Sequence, residues 1–168
     1  MKAPICGVCL KSGILCRTCL EKFESGRVTE TDIKVARALL RLSGSIKSLR
    51  DIDMQRAFES DSMLAIVCAR GDAARIIGKS GLTVKKLEKE LGKPVRIVES
   101  GGDMRAFITD LLHPVPVHGI NVVYRPQGEV LRVLTGKGPG PRVPVDDMRS
   151  IIMRMFRKDV EFSVFRSA

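Results

Sequence analysis

The sequence holds no tryptophan, one tyrosine and six phenylalanines among 168 residues. So few rings exclude the stacked-base platforms on which RRM and single-strand-binding OB domains depend. No apolar run approaches the ~18–20 residues of a membrane span. The opening MKAPICGVCL also lacks the apolar stretch and small-residue cleavage site of a secretory signal. These absences predict a cytoplasmic protein with no membrane association. Acidic residues are scarce too, 19 against 29 Lys plus Arg, for a net charge of +10. Such a surface attracts polyanions, and nucleic acid is the commonest of them for a soluble basic protein. A nucleic-acid reader of this composition must work through backbone amides, aliphatic side chains and charge. At 44% apolar and 29% charged the chain is globular in composition. Its length suits one ordinary domain or two to three small ones.

What is present begins with cysteine. Four of the five cysteines, Cys6, Cys9, Cys16 and Cys19, form a C-x2-C-x6-C-x2-C pattern. A two-residue gap lets successive thiolates turn toward one point, and two such knuckles supply the four soft ligands that tetrahedral zinc prefers. Disulfides or a dithiol redox pair fit less well, because a leaderless chain sits among reduced thiols and no thioredoxin-like strand and helix surround either pair. An iron–sulfur cluster stays open, since spacing alone does not fix the metal. A closed four-thiolate zinc site is structural, with no position left for a reacting water. A head of about 25 residues folds poorly without such a metal. Cys68 stands apart in the apolar run Met63 to Ala69 and reads as a buried thiol.

From Val28 the pattern changes. Thr29-Glu-Thr-Asp32 reads as a capping box opening a helix through Ile33, Ala36, Leu39 and Leu40, closed at Ser43-Gly44. Residues 53–59 and 62–70 predict a strand hairpin about Ser60-Asp61. A short helix at 72–77, a tight turn Gly78-Lys79-Ser80-Gly81, a helix at 83–91 stopped by Gly92 and Pro94, and a strand at 95–98 follow.

The order helix, strand, strand, helix, G-x-x-G, helix, strand resembles a type II KH domain. The run Ala74-Arg75-Ile76-Ile77-Gly78-Lys79-Ser80-Gly81-Leu82-Thr83-Val84-Lys85-Lys86-Leu87 resembles the I-G-x-x-G core of that family and the helix after it. After Gly101-Gly102 the order recurs, with a helix at 103–112, strands at 117–124 and 129–134, a helix at 146–157 and a strand at 160–165. There the stretch Gly136 to Pro144, rich in proline, replaces the G-x-x-G segment and cannot build the first short helix. The expected architecture is therefore α+β: a zinc-binding head at 1–27, a type II KH unit (αββααβ) with a GKSG loop at 28–100, and a degenerate KH-like unit at 101–168. A cysteine head before tandem KH units resembles small archaeal proteins related to the transcription factor NusA. No segment resembles the polymerase-binding or S1 domains of bacterial NusA.

That resemblance implies a function. In KH domains the loop clamps the backbone of about four nucleotides while the bases lie in an aliphatic groove. Transferred onto this sequence, Gly78 and Gly81 shape the clamp, Lys79 adds charge, Ser80 donates a hydroxyl hydrogen bond, and Ile76, Ile77 and Leu82 line or support the groove. From Arg70 to Lys86 five bases, Arg70, Arg75, Lys79, Lys85 and Lys86, face one acid, Asp72. RNA is the expected partner, in transcription elongation or termination as NusA likeness implies. RNA polymerase is a further partner implied by the family. A ribosome-associated or ribosome-assembly role on the small subunit, and a protein-interaction adaptor with secondary RNA contact, are the alternatives.

Other residues carry less. Residues 1–50 hold ten bases against four acids, a further electrostatic contact or a solvated helix face. Lys137 and Arg142 lie on a stretch whose prolines lack the needed amide donors, so it reads as a rigid loop. His113 and His118 sit beside prolines and a strand start with no partnered cysteine or carboxylate, and are not expected to bind metal or catalyse. Met148, Ile151, Ile152 and Met155 share a helical stripe and read as core. No G-x-x-x-x-G-K-[ST] loop occurs, so neither an enzyme nor a small-molecule substrate is expected.

Overall fold

The structure, a computed structural model, describes residues 1–126, 128–136 and 144–164. It is a mixed α+β protein that divides into two compact units, Met1–Glu59 with Leu64–Gly101, and Ser60–Met63 with Gly102–Ala168. Among the described residues there are seven α-helices and two three-stranded sheets. None of the helices is long and apolar enough to cross a membrane.

The first unit opens with two short helices, α1 (Gly7–Ser12) and α2 (Arg17–Glu24), followed by α3 (Glu30–Ser43). At the start of α3 the capping box forms as expected. The Asp32 N–H donates to Thr29 Oγ1 (3.2 Å) and the Thr29 N–H to Asp32 Oδ2 (2.8 Å). Asp32 is fully buried, and its other oxygen accepts the Ala57 N–H at 2.5 Å. One side chain therefore satisfies the helix end and a strand amide together. The period-3.6 apolar face of α3 puts Val35, Ala36, Ala38 and Leu39 entirely out of solvent.

Strands β1 (Met54–Glu59) and β2 (Leu64–Cys68) form the antiparallel hairpin, and β3 (Val95–Glu99) joins β2 in parallel. Parallel neighbours need a crossover, here built from α4 (Ala73–Ile77), the loop Gly78–Gly81 and α5 (Leu82–Leu91). Leu64, Ile66 and Cys68 of β2 pack with α3, with Ile76 of α4 and with Leu87 and Leu91 of α5. A 3-10 turn at Lys47–Leu49 leads into β1, anchored by buried Leu49. The head shares this core: Ile5, Cys9, Leu10 and Cys19 join the same cluster. Arg37 of α3 donates to the Gly13 carbonyl at 2.8 Å, and the Lys2 backbone makes a parallel β-bridge with Asp53 beside β1.

In the second unit α6 (Met104–Leu112) precedes strands β4 (Val117–Arg125) and β5 (Gly128–Thr135), then α7 (Val145–Phe156) and β6 (Asp159–Val164). Its sheet repeats the first, with order β4-β5-β6, the first pair antiparallel and the second parallel. Met148, Ile151 and Ile152 of the stripe on α7 are fully buried, while its fourth member, Met155, is half-buried; Leu131, Val133 and Val160 are among the other buried residues. Lys137 and Arg142, on the glycine–proline stretch, and the end of the last expected strand at residue 165 lie outside the described residues.

Candidate metal centre and nucleic-acid interface

Each C-x2-C knuckle straddles the start of a short helix. Cys6 and Cys16 are the N-cap residues of α1 and α2, in extended backbone, and Cys9 and Cys19 sit three residues on, inside the first turns. The two knuckles reciprocate. The Cys16 N–H donates to Cys9 Sγ at 3.0 Å and the Cys6 N–H to Cys19 Sγ at 3.3 Å. Cys9 and Cys19 are buried, while Cys6 and Cys16 face solvent. All four sulfurs lie within 4.8 Å of one another, with Cys6 Sγ 3.3 Å from Cys9 Sγ and 4.0 Å from Cys16 Sγ. A tetrahedron of sulfurs bonded at ~2.3 Å to one ion has edges of about 3.8 Å, within the observed spread.

Protonation follows position. The Cys9 backbone and side chain hold the Cys6 thiol down at about 7. Cys16 is lowered, first by the Cys19 backbone. The Cys16 backbone pulls Cys9 the other way, but burial and the neighbouring sulfurs outweigh it and push that thiol up to about 12. Cys19 is likewise raised, the pull of the Cys6 backbone being overcome by burial and by Cys16. Four clustered sulfurs cannot all be thiolates unless a cation sits among them. The four cysteines the sequence singled out are thus brought together in an arrangement that could hold a metal ion. The N–H to sulfur hydrogen bonds between the knuckles were not legible, because they depend on how two helix ends meet.

The second candidate is the Gly78–Gly81 loop. Gly78 (φ 72) ends α4, and Ser80 (φ 52) and Gly81 (φ 74) follow in the left-handed region. A Cβ on Gly78 would stand 2.1 Å from Thr83 Oγ1 and 2.7 Å from Thr83 Cβ. Only glycine fits that close approach. Thr83 is the participant sequence reading missed; its position four residues before Leu87 and eight before Leu91, both buried, is the available signal. Gly81 begins this ten-residue helix with no side-chain cap, and the Leu82 N–H donates to the Lys79 carbonyl in the 3-10 turn just before it.

The remaining residues singled out from the sequence separate into two groups. Lys79, Ser80, Lys85 and Lys86 are exposed around the loop and the start of α5. None of the three lysines has an acidic partner among the described residues. Ile77 and Leu82, 39% and 59% exposed, flank the loop as aliphatic surface, while Ile76 is buried beneath. Arg70 and Arg75 are exposed as well, but Arg75 is turned to Asp72 Oδ1 (3.2 Å) and the Asp51 carbonyl (3.4 Å). Arg70 precedes α4, at the end of that helix away from the loop. Cys68 is buried, its Sγ 3.7 Å from the Val98 carbonyl. The two histidines do not join the cysteine cluster.

Comparison with known proteins adds a relationship. The chain is 29% identical over 77 residues to the "Probable transcription termination protein NusA" of Methanocaldococcus jannaschii, covering 46% of this chain and 42% of that protein. It is 31% identical over 62 residues to the protein of the same name from Halococcus morrhuae, covering 37% and 45%. The chain spans less than half the length of either curated relative, and its likeness is to archaeal NusA proteins over that part. No family model matches. The solved "Crystal structure of APE1850" superposes with a TM-score of 0.57, covering 75% of this chain and 96% of that one at 22% identity, a likeness of fold.

Proposed function

We propose that this protein binds single-stranded RNA through the Gly78–Gly81 loop of a type II KH unit at 28–100, in transcription. A second, degenerate KH-like unit occupies 101–168, and a head at 1–27 is held by zinc on Cys6, Cys9, Cys16 and Cys19. One observation carries the reading. The glycine loop leads into α5 with no side chain capping the helix start, with Lys79 and Ser80 exposed and Ile77 and Leu82 forming aliphatic surface on either side. The positive end of the helix and its amides favour an anionic oxygen. Lys79 adds a charge and the Ser80 hydroxyl a donor. The bases of the same strand rest on aliphatic surface, which suits a segment without aromatic rings. The NusA likeness supplies the setting in transcription. Zinc fits the four-sulfur donor set and its spacing. When bound it holds the two knuckles together and leaves RNA contact to the chain's own residues.

The test is RNA affinity of the double variant Lys79→Asp, Ser80→Asp. Both positions are exposed, so the fold should persist. Affinity for a short single strand should fall tenfold or more, about 1.4 kcal/mol or above. Unchanged affinity in the folded variant would refute the clamp.

A further inference from the structure

Helix α5 carries more positive charge than its fold requires. Thr83, Leu87 and Leu91 mark its buried line. Lys85 and Lys89, one turn apart, lie on the opposite, solvent side with Lys86 beside them. Like charges at i and i+4 oppose helix formation. The helix has two glutamates that could relieve this, and both are engaged elsewhere. Glu88 Oε1 accepts the Val95 N–H at 3.0 Å, and Glu90 pairs with Arg41 of α3 at 2.5 Å. Lys85, Lys86 and Lys89 are left with no acidic partner among the described residues. The sequence reading had no place for Lys89.

We infer that this lysine face takes the phosphate backbone of a duplex adjoining the clamped strand, so that the preferred ligand is an RNA with a junction between single strand and helix. Resting on the clamp reading above, the inference extends that site by its ligand class. Charge complementarity argues for a phosphate backbone. Lys89 lies about 10 Å along the helix from Leu82 at ~1.5 Å per residue, beyond the first-turn amides. Duplex is favoured over more single strand because beyond Leu82 the exposed residues of α5 are Lys85, Lys86, Lys89 and Glu90, all charged. A second stretch of single strand would find neither aromatic nor aliphatic surface for its bases there. A duplex keeps its bases stacked on one another and offers phosphates and 2′-hydroxyls.

The 168-residue chain is tested by fluorescence anisotropy on one single-stranded sequence, alone and closed by a stem, across a salt series. Three proteins are compared: wild type, Lys85→Gln with Lys89→Gln, and Lys79→Asp with Ser80→Asp. Glutamine is a good helix former, and circular dichroism checks that α5 persists. Wild type should bind the stemmed RNA more tightly. The glutamine pair should lose about tenfold more affinity on the stemmed RNA than on the bare strand. Its slope of log affinity against log salt should shrink by about two on the stemmed RNA and by about one or less on the bare strand. A companion Lys85→Arg, Lys89→Arg variant should keep wild-type binding, because charge is retained. Equal losses on both RNAs, or none on either, overturn the duplex face while the clamp stands. An aspartate variant that binds the bare strand like wild type overturns the clamp instead. Absence of wild-type binding to either RNA overturns both.

Discussion

At the scale of single residues, Gly78 is the most constrained position in the first unit. Its φ of 72 places it where a side chain is strained, and the space a Cβ would fill already holds Thr83 Oγ1 at 2.1 Å. Gly78→Ala should therefore combine a backbone penalty of about 1 kcal/mol with a steric one, for a total of roughly 2–3 kcal/mol. Adding Thr83→Ala should recover the steric part and leave the backbone part. Denaturant unfolding of the two variants measures both, and equal loss in single and double variant would show that Thr83 is not the obstacle. The G-x-x-G spacing in the sequence marks Gly78 as special. It does not say that Thr83 is the reason, because that contact exists only once α5 has started four residues later. Asp32 is a similar case. Its role in the capping box is written in Thr29-Glu-Thr-Asp32, but its 2.5 Å acceptance of the Ala57 amide is set by where β1 passes.

Among the elements, the head differs from the rest in how much of it was legible. Helices α3, α5 and α7 announce themselves by apolar period and by stop signals, and the strands by aliphatic runs, all within a few residues of their observed bounds. The helices α1 and α2 do not. They begin at Cys6 and Cys16, and cysteine is outside the set of residues that usually cap helices. Neither N-cap makes a side-chain hydrogen bond to the helix start. Their first turns are organised by the sulfur cluster, so sequence propensity has little to show. A metal bound there should be one ion per chain, and chelation should loosen α1 and α2 while α3 and both sheets persist. Amide hydrogen exchange of the holoprotein before and after chelation reads this directly. Exchange unchanged throughout would mean that the head stands without a metal. Acid should act in the same direction as a chelator. Cys9 and Cys19 hold their protons more firmly than an ordinary thiol, metal binding must expel those protons, and falling pH therefore favours the metal-free form. Cys16→Ser should abolish stoichiometric binding, since it removes one of only four ligands.

For the molecule as a whole, the net charge of +10 matters less than where its cations lack partners. In the second unit Arg125 and Arg132 share Glu161 at 2.7 and 3.7 Å, Lys158 meets Glu129 at 2.5 Å, and Arg149 meets Asp146 at 3.1 Å. In the first unit Lys79, Lys85, Lys86 and Lys89 have no such partners. The first unit pairs other cations, Arg41 with Glu90 and Lys93 with Glu59 among them, so the division is between those four lysines and the paired cations of both units; composition supplied only the sum, and the rest depends on which acids the fold brings beside which bases. A cation already paired with a carboxylate gives up that pairing when it meets a phosphate, so it contributes little to binding and little to salt dependence. Two single variants test the division. Lys79→Gln should reduce the salt slope of RNA affinity by about one and leave stability within about 0.5 kcal/mol of wild type. Arg132→Gln should cost under about 1 kcal/mol, as partly exposed ion pairs do, and leave the salt slope unchanged. Isothermal unfolding with RNA titrations at several salt concentrations measures both quantities for each variant. A salt slope that falls as far in Arg132→Gln as in Lys79→Gln would extend the RNA footprint onto the second sheet. Pairing in the free protein would then be no guide to which cations meet phosphate.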